Sequence, residues 1–167
     1  IMKKINEARI NSDWVILSYH GGEEYTRYPM PIRRKKLIKY LGYGADIVVA
    51  HHPHVLQGVE RIKNKYIFFS LGNFIFDIKQ HKSKKYIDRS ALLVLEFSKD
   101  KLNYSLMPIF IDIKKPEINI ELSMKNQFDW LSDFSRHDYM WGKECFRVLC
   151  VDDPLDRLNN NILRNLF

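Results

Sequence analysis

The stretch Asp46-Ile-Val-Val-Ala-His-His-Pro-His54 decides how the rest of the chain is interpreted. Residues 46–49 are rich in β-branched side chains and follow a glycine-containing break, which predicts a short buried strand. The histidines come directly after it, at the carboxyl end, where ligand crevices form in sheets that carry helices on their faces. Pro53 restricts its neighbour His52 to an extended backbone. We therefore expect a rigid turn that aims two imidazoles into one pocket.

These histidines are candidate metal ligands, because neutral imidazole is the commonest metal-binding side chain near neutral pH. A lone histidine at a strand end is more often a hydrogen-bonded side chain, so the argument depends on three within four positions. We interpret His52 and His54 as a ligand pair. In an extended chain His51 points away from the face of its neighbours, so we assign it a supporting or structural role.

A second histidine-bearing strand end precedes this stretch. The run at residues 14–17 predicts a buried strand that leads into His20 and two glycines, which allow close approach of the backbone to a ligand. Pro31 is suited to begin a helix that continues to Gly42, with basic side chains on its solvent face. A right-handed crossover between parallel strands would bring His20 to the same sheet edge as the His52 and His54 pair.

The remaining pattern predicts further elements of a mixed α/β fold. We expect a helix at residues 2–11, a strand at 66–70 followed by a Gly-Asn turn, a hairpin of strands 90–97 and 103–113, and helices at 127–134 and 153–167.

Composition sets limits on the class of protein. The chain has 167 residues, 46% of them hydrophobic and 28% charged, as in a globular domain. The net charge of +7 favours anionic partners, although charge alone does not predict nucleic-acid binding. The chain contains no run of about 18 apolar residues, so its sequence predicts neither a membrane span nor a signal peptide. Cys145 and Cys150 predict free thiols rather than a disulfide framework.

Three motifs, taken together, resemble one known family. They are His20-Gly-Gly-Glu-Glu-Tyr25, the segment Gly44 to Gly58 that contains the His-Pro-His sequence, and Ser70-Leu-Gly-Asn-Phe74 followed by Phe76-Asp77. The chain resembles the CapA-like bacterial capsule-synthesis family, also called the poly-gamma-glutamate capsule proteins, over about residues 12 to 113. That family is similar in fold to the calcineurin-like metallophosphoesterases. The resemblance implies a layered α/β sandwich, in which helices flank a mixed sheet.

The resemblance also implies roles for particular residues. His20, His52 and His54 would bind divalent metal ions, two in number, with manganese, iron or zinc as candidates. Glu24 would lie beside the site, and Asn73 near the pocket; with His20 they form the implied catalytic set. Two positions depart from the family pattern: Gly21 stands where tryptophan is usual, which would open the pocket wall, and Ala50 stands where glycine is usual.

Two family motifs are not found before His20, namely a Gly-Asp strand end and an Asn-x-Glu sequence. Because the chain also begins with Ile1, we expect a partial chain: the carboxyl-terminal half of the domain at residues 1–115, and a mainly helical extension at 116–167. The implied function is a metal-dependent phosphoesterase-like hydrolase in capsule, poly-gamma-glutamate or surface-polymer biosynthesis. The alternative is a non-catalytic accessory module. The expected partners are an anionic polymer or a phosphorylated small substrate, and a membrane-bound capsule synthase. No compartment is predicted.

Overall fold

The structure, a computed structural model, describes residues 1–74, 84–112, 115, 117–120, 129 and 131–148. Its elements follow in the order α1 (Met2–Ile10), β1 (Ile16–His20), α2 (Pro31–Gly42), β2 (Ile47–His51), β3 (Val59–Ile62), β4 (Lys65–Phe68), β5 (Arg89–Phe97), β6 (Leu102–Asp112), β7 (Glu117–Ile120) and α3 (His137–Phe146).

The first sheet has the strand order β1-β2-β4-β3. Strands β1, β2 and β4 are parallel, and α2 provides the crossover from β1 to β2. The predicted parallel strand-helix-strand unit is therefore confirmed. The register pairs His20 with His51, so both strands end level with each other at one edge. Strand β3 was not predicted from the sequence; it forms an antiparallel hairpin with β4, and its four residues are too few for a clear alternating pattern.

The second sheet is antiparallel and has the order β5-β6-β7. Strands β5 and β6 pair from Arg89 and Phe110 to Phe97 and Leu102, which confirms the predicted hairpin. Strand β7 adds to the outer edge of β6, with Ile120 opposite Ile109. No pattern in the sequence had predicted this third strand.

The three layers are helices, first sheet and second sheet. Alternate residues of β2 face opposite layers, as the twofold period of a strand requires. Val48 and Ala50 pack in a cluster with Leu37 and Leu41 of α2. Ile47 faces the other way and packs with Phe68 and with side chains of the second sheet. The predicted layered α/β sandwich is confirmed, and the decisive stretch lies in its middle layer.

Asp46, the first residue of that stretch, fixes the start of β2. Its carboxylate accepts hydrogen bonds from the backbone N–H of Val15, at 2.9 Å, and from Nη1 of Arg9, at 2.6 Å. The carboxylate is largely buried and paired, which satisfies the charge. Asp46 therefore joins α1 to both parallel strands that carry the histidines.

Part of the predicted organisation falls outside the described residues. The helix predicted at 153–167 lies wholly outside them, and so do residues 127, 128 and 130 of the helix predicted at 127–134. The division of the chain near residue 116 stays a prediction. In the described part of the chain, no helix combines the length and the apolar character needed to cross a bilayer.

Candidate metal centre

The predicted site residues meet at the carboxyl edge of the parallel strands. His20 is the last residue of β1, and His52 and His54 form the turn after β2. Two backbone hydrogen bonds fix the loops to one another: Gly21 N–H donates to the carbonyl of His51 at 3.1 Å, and Tyr25 N–H donates to the carbonyl of Pro53 at 2.8 Å. The crossover geometry inferred from sequence therefore does bring the separate histidines together.

The imidazoles of His20 and His52 lie close enough to bind one metal ion together. Nδ1 of His52 is 3.2 Å from Nε2 of His20, and the two rings are 5.0 Å apart, edge to face. Nδ1 of His54 is 2.9 Å from Oδ1 of Asn73, which is buried. Asn73 thus contacts the site through His54.

Glu24 completes a compact group with two of the histidines. Its Oε1 lies 4.0 Å from Nε2 of His52 and 3.9 Å from Nε2 of His54. One ligand atom from each of these three residues lies within 4.8 Å of the other two. Glu24 is the most exposed of the three, with 41% of its side chain accessible. The carboxylate was expected beside the site, and the structure places it facing both imidazoles.

The turn that holds the histidines has an unusual backbone. The φ angles of His52 and His54 are +109° and +61°, and that of Tyr25 is +61°. The predicted extended conformation of His52 is therefore wrong, because the chain must reverse sharply around Pro53 to present both rings. Non-glycine residues in such conformations cost about 1–3 kcal/mol each and are concentrated at functional sites.

Burial keeps the central imidazole neutral. The pKa of His52 is lowered first by burial; Glu24 acts in the opposite direction, and His20, His54 and Arg33 lower it further. The pKa of His51 is also lowered, by burial and then by His20. Neutral imidazole has the lone pair that a metal ion requires. At neutral pH His52 is therefore in a form that can act as a ligand.

Arg33 supports the loop that carries Glu24, although the sequence placed it on the solvent face of α2. That placement is wrong, because the side chain is only 5% exposed. Its Nη1 donates to the carbonyl of Gly21 at 2.7 Å, and its Nη2 donates to Oε1 of Gln57 at 2.6 Å. Its Nε lies 3.6 Å from the carboxylate of Glu23. A run of four basic residues gave no signal that one of them turns inward.

Aromatic and cationic side chains border the site. The ring of Tyr25 stacks beside His54 at 6.1 Å, and Nζ of Lys84 lies 5.4 Å from the Tyr25 ring. The ring of Tyr86 contacts three guanidinium groups, at 4.2 to 5.5 Å; these belong to Arg27, Arg89 and Arg147. Two of these arginines, Arg27 and Arg147, are largely buried and pair with Glu144, so they stabilise the border of the site.

The cysteine in the described part of the chain is not a competing nucleophile. Cys145 has no disulfide partner, and burial, followed by Glu23 and Glu144, raises the pKa of its thiol to about 12. The reactive form of cysteine is the thiolate, so the thiol is inert at neutral pH. Cys150 and the predicted motif residues Phe76 and Asp77 lie outside the described residues.

The donor set fits a divalent ion. It combines neutral imidazoles with a carboxylate, the ligands that suit zinc, iron and manganese. Two ligand atoms of one ion lie about 3.0–3.4 Å apart at bond lengths of about 2.0–2.2 Å, so spacings of 3.9 Å and more require the side chains to move together by about 0.5 Å or more around an ion. The fold and site together define a layered α/β protein with an imidazole and carboxylate cluster at the carboxyl ends of its parallel strands.

Comparison with known proteins agrees with the motif resemblance. Residues 1–78 match the family model described as bacterial capsule synthesis protein PGA_cap. The amino-terminal part of this chain is thus similar to the PGA_cap, CapA-like family. The matched region contains β1, β2 and all the predicted site residues.

Two relatives carry related names. The chain is 46% identical over 82 residues to the capsule biosynthesis protein CapA of Bacillus anthracis. The aligned segment covers 46% of this chain and 20% of that protein. It is 33% identical over 138 residues to the PGA biosynthesis protein CapA of Bacillus subtilis strain 168. The aligned segment covers 75% of this chain and 35% of that protein. The chain therefore spans about a third or less of either relative.

Proposed function

We propose that this chain contributes the histidine-bearing part of a metal-dependent, phosphoesterase-like site that acts in capsule or poly-gamma-glutamate biosynthesis. The observation that carries the proposal is the convergence of His20, His52, His54 and Glu24 at one sheet edge. The process is suggested by the names of the two relatives, and the reaction class by the resemblance to metallophosphoesterases.

The residues of this chain would hold two divalent ions of manganese, iron or zinc. His20, His52 and His54 would supply nitrogen ligands. A bound divalent ion supplies Lewis acidity toward a phosphoryl oxygen and lowers the pKa of a coordinated water. Glu24 faces both solvent and the imidazoles, so its carboxylate can accept a hydrogen bond or a proton within the site. The net charge of +7 would favour a phosphorylated small substrate or an anionic polymer.

The first test is the metal content of the chain and of its variants. We expect the wild-type chain to bind manganese or zinc at micromolar concentration, measured by equilibrium dialysis and elemental mass spectrometry. The double variant His52→Ala, His54→Ala should lose this binding by at least about 100-fold, because each ligand and its supporting partners contribute large factors. Asn103→Ala, which changes an exposed residue of the second sheet, is the control and should retain binding. Failure of the longer protein that carries this chain to bind divalent ions would overturn the proposal.

Activity is tested separately with bis(p-nitrophenyl) phosphate as a generic phosphodiester. Hydrolysis should depend on added metal, and should be lost in the His52→Ala, His54→Ala variant but not in Asn103→Ala. This assay belongs on the longer protein that carries the chain as well as on the chain itself, since the chain spans only part of its relatives.

The second candidate is a non-catalytic accessory module that binds an anionic polymer or a membrane-bound synthase. The net charge of +7 favours it. Under this alternative, poly-gamma-glutamate would bind equally to the wild-type chain and to the double histidine variant, with a strong dependence on salt.

A further inference from the structure

The exposed side of α2 presents its side chains in one stripe. The stripe has an aliphatic end, three ammonium groups and an aromatic end, supplied in that order by Ile32, Lys35, Lys36, Lys39 and Tyr43. All five are exposed, and they follow one another at helical spacing, so they lie on the same face. From its first to its last residue this α2 stripe measures about 16 Å along the helix axis.

The arginines of α2 are not part of the stripe, because they are used inside the fold. Arg33 is buried beside Glu23, and Arg34 forms an ion pair with the largely buried Glu60. The helix itself contains no acidic residue. The two kinds of cation therefore have different roles in α2: the arginines hold the structure together, and the lysines face outward.

The three lysines of the α2 stripe have no anionic partner in the described part of the chain. The ammonium group of Lys36 lies 5.6 Å from the ring centre of Tyr19, which is its one recorded contact. Lys35 and Lys39 are four positions apart, and like charges at this spacing destabilise a helix. The stability of the fold therefore gives no reason for this concentration of positive charge.

The two ends of the α2 stripe indicate which partner it suits. A lysine-rich face is ordinarily only solvated, and a linear polyanion would need the ammonium groups alone. Ile32, however, is 70% exposed next to them. Large aliphatic side chains, lysines and an interfacial tyrosine on one helix face are typical of a surface that lies against lipid: the aliphatic group enters the acyl boundary and the ammonium groups extend to the phosphates.

Helix α1 has exposed side chains of the same two kinds. It shares the core cluster of α2 through Ile5. Its Lys4 is exposed, and Ile10 at its end is 83% exposed. Both helices of this layer thus combine free ammonium groups with exposed isoleucine.

We propose that the α2 stripe is a peripheral docking surface for an anionic lipid membrane. Ile32 enters the boundary between headgroups and acyl chains, and Lys35, Lys36 and Lys39 bind the lipid phosphates. Because α2 begins after the loop that follows His20, docking would hold the carboxyl edge of the parallel strands beside the lipid. The inference does not depend on the proposed metal-dependent function.

The experiment is co-sedimentation of the chain with vesicles, in the presence of a metal chelator. We expect binding to vesicles of phosphatidylglycerol and phosphatidylcholine in equal parts, and none to phosphatidylcholine alone. Each lysine near an anionic surface strengthens binding about 5-fold, so the triple variant Lys35→Gln, Lys36→Gln, Lys39→Gln should bind about 100-fold more weakly. Failure of the wild-type chain to bind the anionic vesicles would overturn the proposal.

A second triple variant is the matched control for charge. Lys63→Gln, Lys99→Gln, Lys101→Gln changes exposed lysines in the turns of the two hairpins. Both triple variants lower the formal net charge of +7 by three. The control should retain binding to the anionic vesicles. An equal loss in both triple variants would mean that net charge alone attracts the chain, and would refute a docking surface on α2.

Ile32 separates a lipid partner from an anionic polymer. Ile32→Ser should weaken vesicle binding by about 10-fold, because the buried aliphatic group is lost, while Ile32→Leu should retain it. Circular dichroism checks that both variants are folded. If Ile32→Ser binds vesicles as the wild-type chain does, and the α2 lysine variant also loses binding to poly-glutamate, the stripe binds a linear polyanion and the proposal is wrong.

Discussion

At the scale of single residues, the site depends on close approach between a glycine and a buried arginine. Gly22 has a φ of +137°, and a Cβ placed there would lie 2.1 Å from Nη1 of Arg33. That guanidinium holds the loop between His20 and Glu24 by donating to the carbonyl of Gly21. The second glycine of the motif is thus required by packing as well as by backbone conformation.

Gly22→Ala should destabilise the chain and disturb metal binding together. The added methyl group must displace Arg33 while adopting an unfavourable φ, so we expect a loss of about 1–3 kcal/mol in the free energy of unfolding. Urea denaturation measures it. Gly42→Ala is the matched control, since nothing lies within 4 Å of its Cβ and alanine favours helix. Equal stabilities of the two variants would contradict this account.

At the scale of elements, α3 supports the site from outside the parallel sheet. Glu144 on α3 accepts hydrogen bonds from Nε and Nη2 of Arg27, at 3.1 and 2.6 Å, and from Nη2 of Arg147, at 2.8 Å. Arg147 also donates to the carbonyl of Tyr25 at 2.7 Å. Tyr25 stacks beside His54, so the helix fixes one wall of the candidate metal centre.

Acid should weaken the contacts that hold α3 against the rest of the fold, because they depend on the Glu144 carboxylate. Burial alone raises the pKa of Glu144, but hydrogen bonds from Arg27 and Arg147 outweigh it and the pKa is lowered below the ordinary value of 4.5. A lowered carboxyl pKa stabilises the fold fully above the unfolded value, and this stabilisation is lost as pH falls through the folded value. Urea denaturation of the wild-type chain should therefore show declining stability below pH 4.5.

Glu144→Gln should remove this component of the acid dependence. At pH 7 it should also cost about 3–5 kcal/mol, because two arginines lose a buried anionic partner. Glu96→Gln, on the exposed face of β5, should change neither quantity. If the stability of Glu144→Gln depends on pH as that of the wild-type chain does, other carboxylates cause the loss of stability in acid.

At the scale of the whole molecule, the two sheets share one core. Phe68 of β4 is buried and packs edge to face against Tyr104 of β6, with ring centres 5.1 Å apart. Trp14, before β1, packs against Phe97 and donates to the carbonyl of Ser98 at 3.2 Å. We therefore expect both sheets to unfold in one cooperative transition.

Phe68→Ala should lower the stability of both sheets together. The expected cost is about 3–5 kcal/mol, from lost burial and the resulting cavity. Tryptophan fluorescence and far-ultraviolet circular dichroism should shift to the same lower urea midpoint. The control is Phe146→Ala, which removes a ring that is 66% exposed and should change stability little. Two separate transitions would mean that the sheets are independent.

The sequence by itself determined the middle layer and the residues of the site. Its apolar runs predicted the parallel strands, the spacing of Pro31 and Gly42 predicted α2, and the three motifs indicated the family resemblance that the family model also finds over residues 1–78. These features are local, because strand period, helix ends and motif identity are encoded in contiguous residues. The convergence of His20 with the histidine turn also followed, since the handedness of a crossover is nearly invariant.

Tertiary structure alone decided how the site is supported. The inward turn of Arg33, the contact of Glu144 with Arg27 and the pairing of β7 with β6 join residues that local patterns cannot connect. The positive φ of His52 is likewise imposed from outside, because the rigid sheet fixes where the turn begins and the loop hydrogen bonds fix where it must pass. A short polar sequence has no periodicity that reports such long-range contacts, and their energies appear only once the layers are assembled.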